Sequence, residues 1–141
     1  MTKNKTRWLV AWVITMAWYQ TYSQGAFPAV IVNLNYPQYQ RLKMDGGYVY
    51  IEDGGLRGII LYRASEGSYI AFERACPYHP EATCAQVQVD GSSLFMIERC
   101  CNSSFGFSDG QPTSGPAQRP LIQYRIDITG TTLKISDEIV N

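Results

Sequence analysis

Residues 100 to 121 read CCNSSFGFSDGQPTSGPAQRPL. Two adjacent cysteines lead into Ser103-Ser104-Phe105, a glycine at 110, the tripeptide Gly115-Pro116-Ala117 and a closing Pro120-Leu121. Going back along the chain, Cys76 and Cys84 bring all four cysteines of the protein within 26 residues. Such clustering marks a site or a staple. The chain's one histidine, His79, lies in the same region, between Tyr78 and Pro80. Asn102-Ser103-Ser104 also spells a glycosylation sequon, a match too common by chance to carry weight.

At 141 residues the chain has the length of one domain with its own core. Charged residues make up 17%, no segment is low-complexity, and disorder is not expected. Twelve basic and twelve acidic residues cancel, but Lys3, Lys5 and Arg7 sit at the very start. Without them the balance is about −3, with no basic stripe for nucleic acid. Behind these cations runs WLVAWVITMAWY, residues 8 to 19, followed by small or polar Thr21, Ser23, Gly25 and Ala26. This is the layout of a secretory signal over residues 1–23. Twelve helical residues rise about 18 Å, short of a bilayer core of roughly 30 Å. A signal cleaved after Ser23 is expected, with a retained amino-terminal anchor as the alternative and a core helix third. No cysteine follows the apolar run, which excludes a lipoprotein. The mature protein is then extracytoplasmic, in the periplasm, envelope or medium of a bacterium, where thiols tend to oxidise. Contact with a membrane is expected only through an uncleaved amino-terminal segment.

Beyond residue 25 no helical period is visible. Short β-rich runs alternate with glycine turns: Val30 to Leu34, Tyr48 to Ile51, Gly58 to Tyr62, Tyr69 to Phe72, Val87 to Val89, Leu94 to Ile97, Ile122 to Ile128 and Thr132 to Ile135. Spacings near ten residues with hairpin signals at Asp53-Gly54-Gly55, Asp90-Gly91 and Gly130 predict an all-β antiparallel sandwich or small barrel. Tyrosines 48, 50, 62, 69 and 124 read as half-buried strand residues with wet hydroxyls.

The second loop resembles that of Rieske iron–sulfur domains, whose pattern is roughly C-P-x-H-G-S-x-F-D, a turn glycine, G-P-A and P-L. Ser103-x-Phe105, Gly110, Gly115-Pro116-Ala117 and Pro120-Leu121 match at family spacing. The resemblance covers residues 29–136 and implies an all-β domain with a two-loop subdomain over about residues 75–121. In the first loop the family reads C-x-H. Here Cys76 matches the cysteine, Tyr78 stands in the histidine's place and is expected to pack there, and His79 is one residue late. Anchored on Ser103-x-Phe105, Glu98 takes the second cysteine's place and Cys101 the second histidine's. A register shift that makes Cys100 the ligand puts Ser103 where histidine belongs. A Rieske centre needs two histidines on one iron and two cysteines on the other. One histidine cannot supply two ligands, so neither the [2Fe–2S] cofactor nor another metal is expected.

Cys100 and Cys101, if extended, point to opposite sides and need different partners. The resemblance implies Cys84–Cys100, the pair formed by extra cysteines in some family members. That leaves Cys76–Cys101 to bridge the two loops in place of a metal, each bridge adding on the order of 3 kcal/mol. The expected function is a clusterless, disulfide-stapled accessory module that meets an envelope protein through the old cluster tip, and not an enzyme. The alternative is an electron-transfer protein with a non-standard [2Fe–2S] or other centre ligated by Cys76, Cys84, Cys100 and Cys101, with His79. A thiol–disulfide exchanger ranks third, because nothing near the cysteines lowers a thiol pKa. No nucleophile elbow or phosphate loop supports a hydrolase or transferase.

Overall fold

The computed structural model describes residues 27–141; the expected signal segment and its cleavage point lie outside them. Among the described residues no helix is long and apolar enough to cross a membrane. Among the described residues, ten strands form two antiparallel sheets. The larger is ordered β1-β10-β9-β4-β3-β2, with β1 Val30–Asn33, β2 Tyr48–Ile51, β3 Ile59–Arg63, β4 Tyr69–Glu73, β9 Gln123–Thr129 and β10 Thr132–Ile139. The smaller is ordered β5-β6-β7-β8, with β5 Gln88–Val89, β6 Met96–Glu98, β7 Ser103–Phe105 and β8 Pro112–Ser114.

The β3–β4 pair explains why the sheets stack. Ile59, Ile60, Leu61, Ala71 and Phe72 are all fully buried, so alternation along these strands feeds two cores rather than a core and water. Ile59, Leu61 and Ala71 join Val32, Leu42, Leu133 and Ile135 on one face. Ile60 and Phe72 point the other way, against Val87, Met96, Phe105 and Leu121 from the smaller sheet and its loops. A fully buried Leu, Ile or Phe contributes about 2–3 kcal/mol by burial, so Ile60 and Phe72 bind the smaller sheet to the larger. Cys76 belongs to this second core.

Eight of these strands fall on β-rich runs of the sequence, with small shifts. Leu94, expected in β6, is instead an exposed turn residue beside Ser93 at φ 59°. The short strands β7 and β8 and the 3-10 turn Pro37–Lys43 fall outside those runs. Three-residue strands are too short to show alternation, although Ser103 and Phe105 do point inward and Ser104 outward. Pro112, which cannot donate to a ladder, sits at the start of edge strand β8. Tyr124 also departs from expectation. Its hydroxyl is not wet but donates to the buried Glu73 carboxylate at 2.7 Å.

Candidate functional site

The first loop leaves β4 at Glu73, and this carboxylate shapes its exit. Glu73 is 2% exposed and accepts the N–H groups of Leu56 (2.7 Å), Arg57 (3.0 Å) and Ala75 (2.8 Å) besides the Tyr124 hydroxyl. Four donors satisfy a buried carboxylate that would otherwise be prohibitively costly. Arg74 lies over the Tyr50 ring at 4.2 Å and donates to the Val87 carbonyl and to Glu52. Arg57 spreads its guanidinium over the carbonyls of Pro80, Glu81 and Thr83, and Arg119 donates to that of Pro77. The loop is thus held from outside by arginine while Cys76 turns inward and is fully buried.

The second loop leaves β6 at Glu98, 1% exposed. Its Oε1 accepts the Cys100 N–H at 2.7 Å. Its Oε2 accepts the Cys101 N–H at 2.9 Å and the Cys101 thiol at 2.6 Å. Asn102 follows at φ 55°, turning the chain into β7. Ser103 Oγ lies 3.1 Å from Cys101 Sγ and accepts the Ala117 N–H at 3.1 Å, which ties the G-P-A turn to the loop. Gly115 is at φ +86°, and a Cβ there would stand 2.5 Å from the Asn102 carbonyl oxygen. The family glycine is therefore required by a close approach as well as by its backbone angle.

Cys76, Glu98 and Cys101 come together, with one ligand atom from each lying within 4.8 Å of the others. Cys84 and Cys100 form a disulfide, S–S 1.97 Å, on the exposed side of the loops. The second expected bridge, Cys76–Cys101, is not formed. Both are free thiols, their sulfurs 3.7 Å apart, because Cys101 is drawn to the Glu98 carboxylate and the Ser103 hydroxyl. Burial pushes the Cys76 thiol up to about 11; the backbone N–H groups of Tyr78 and His79 offset part of this, and the Cys101 side chain adds to it.

Tyr78 does not pack in the place of the family's imidazole. It is 45% exposed and meets the His79 ring edge-on at 4.1 Å, since Cys101 and Glu98 already crowd Cys76. His79 is exposed too and is not part of the three-residue group. The residues present therefore do not fit a Rieske cluster: only two cysteines face one another and the single histidine lies outside the group, so the two imidazole ligands are missing. Neither Ser103's contact with a thiol nor the role of Glu73 was legible in the sequence. A lone acid in the apolar run YIAFE was the available signal for the latter.

No protein-family model matches the chain, and no curated protein matches its sequence. Solved structures do. The ferredoxin of carbazole 1,9a-dioxygenase from Nocardioides aromaticivorans IC177 is 19% identical with a TM-score of 0.51, over 79% of this chain and 98% of that one. A ferredoxin–oxygenase complex of carbazole 1,9a-dioxygenase gives 18% identity and a TM-score of 0.50, over 70% of this chain and 87% of the other. Identities this low bear on architecture alone, and the architecture is that of a Rieske-like, all-β fold.

Proposed function

We propose that this chain is a non-enzymatic accessory module of the bacterial cell envelope. It uses a Rieske-like scaffold whose tip has exchanged the binuclear cluster for protein–protein recognition. The observation that carries this reading is the closure of the tip by Cys76, Glu98 and Cys101, with the single histidine outside. The exposed Cys84–Cys100 bridge suits an oxidising compartment. At the surface of the tip, Pro77, Tyr78, Pro116 and Arg119 line a shallow groove of about 350 Å³. Aromatic and arginine side chains of this kind favour protein contacts. One of the similar ferredoxins is in complex with its oxygenase, which is a precedent for a protein partner.

The test is a visible absorption spectrum and an iron assay on protein purified anaerobically, alongside cell fractionation. The expected result is no iron–sulfide absorption, no stoichiometric iron and recovery in the envelope or periplasm. An intense binuclear-cluster spectrum overturns the reading in favour of electron transfer. That second reading draws on the Cys76–Glu98–Cys101 group but loses two of its thiols to the Cys84–Cys100 bridge.

A further inference from the structure

Cys76, Tyr78, Glu98 and Cys101 stand where the loop motifs place cluster ligands, and all but Tyr78 converge. We propose that Cys76, Glu98 and Cys101 form a mononuclear site for a thiophilic divalent cation, zinc, at the tip. This rests on the reading of the tip as lacking a binuclear cluster and deepens it, replacing the metal-free tip expected from sequence.

Geometry supports a tetrahedral site. Two thiolates on zinc, each bound at about 2.3 Å, sit about 3.8 Å apart at the tetrahedral angle. The two sulfurs are 3.7 Å apart. That separation also suits two thiols in simple contact, so the surroundings decide between the two. Simple contact needs no buried carboxylate, yet Glu98 is 1% exposed and aims Oε2 at Cys101 Sγ from 2.6 Å. A carboxylate oxygen bound at about 2.0–2.2 Å would sit about 3.5 Å from each sulfur, so loading opens this contact by about 1 Å.

The surrounding donors are arranged as metal-bound anions need them. The Cys100 and Cys101 N–H groups orient the Glu98 carboxylate. Ser103 Oγ already accepts the Ala117 N–H, which leaves its own O–H to donate to Cys101 Sγ at 3.1 Å. The backbone N–H groups of Tyr78 and His79 favour the thiolate form of Cys76. Soft sulfur donors select zinc over magnesium or calcium. On binding, zinc displaces the two thiol protons and forms two Zn–S bonds and one Zn–O bond, with no electron transferred. Cys101 is half-buried, so the fourth position opens to water or to a donor from a bound partner.

The test is anaerobic titration of the full chain with cobalt(II), then zinc, with the Cys84–Cys100 bridge kept intact and verified by mass. One equivalent of cobalt is expected to give thiolate charge-transfer bands and intense tetrahedral visible bands, both erased by zinc. Cys101→Ser is expected to weaken cobalt binding by about a hundredfold or more and Glu98→Gln by about tenfold, while His79→Ala changes nothing. Circular dichroism establishes that each variant is folded. If Cys76→Ser does not fold, half-buried Cys101→Ser remains decisive. Absence of cobalt bands, bands that survive in Cys101→Ser or vanish in His79→Ala, or a Cys76–Cys101 disulfide found by mass would each overturn the zinc site. None of these touches the accessory reading. Assembly of a binuclear cluster from iron and sulfide would bring down both.

Discussion

Two buried glutamates close the strands that lead into the two loops, and they do different work. Glu73 ends β4 and collects three backbone N–H groups and a tyrosine hydroxyl, none of them reactive. Glu98 ends β6 and collects two backbone N–H groups in the same manner, but its remaining contact is a thiol. The common device is a carboxylate that replaces the ladder partners a strand loses as the chain turns away. A scaffold needs only that. A site emerges where one acceptor is left facing a sulfur instead of another amide.

Removing each carboxylate sharpens this contrast most. Glu73→Ala strands four donors, three of them backbone groups, and is expected to cost about 4 kcal/mol in urea unfolding. Glu98→Ala strands fewer donors in a half-exposed loop and is expected to cost about 2–3 kcal/mol. Equal losses would break the distinction between scaffold and site. Next comes the staple between the loops. Replacing Cys84 and Cys100 together by serine opens a closure of sequence separation 16, with an expected loss of about 3 kcal/mol and no change in the Cys76–Cys101 thiols by alkylation.

Gly115→Ala tests the turn that anchors Ser103. The new Cβ would meet the Asn102 carbonyl and the Ser103 Cα at 2.5 and 2.6 Å. About 2 kcal/mol is expected from strain at this backbone angle. Tyr124→Phe leaves Glu73 with its three amide donors and should cost only about 1 kcal/mol. An effect as large as that of Glu73→Ala would mean that the phenol, not the amides, holds the first loop.

Alkaline pH probes the other side of the comparison in the metal-free protein. Cys76 is raised from 9.0 to about 11 in the folded state. A raised folded pKa stabilises fully below the unfolded value and is lost as pH climbs through the folded one. Stability should therefore fall from about pH 9 towards 11, by on the order of 1 kcal/mol at pH 10. The buried Tyr124 phenol, also raised, acts in the same direction. Denaturation midpoints against pH for the parent and Cys76→Ala separate the two, since the variant keeps only the tyrosine's share.

Most strands were legible because they are long enough to alternate, as in Tyr48–Ile51 and Ile59–Arg63, and are bounded by glycine turns. β7 and β8 were not, since three residues show no period and their pairing comes from neighbours distant in sequence. In the loops, residue type foretold which cysteines were near one another but not which would bond. Cys84–Cys100 matches the pair implied by the family. The fate of Cys76 and Cys101 depended on Glu98, whose carboxylate takes up the Cys101 thiol. Tyr78's outward turn was hidden for a similar reason, because packing around Cys76 excludes the phenol.

By itself the sequence determined the β architecture, the paired loops, the glycine-proline closure and the shortage of imidazole. The architecture and the imidazole shortage are local, resting on alternation, turn chemistry and a count of residue types, while the paired loops and their closure rest on the family resemblance. Only the tertiary structure decided that Ile60 and Phe72 join the two sheets, that Glu73 secures the first loop and that Cys76, Glu98 and Cys101 share one buried point. Those outcomes depend on distances between segments far apart in the chain, which side-chain volume and hydrogen-bond satisfaction settle only once the sheets have stacked.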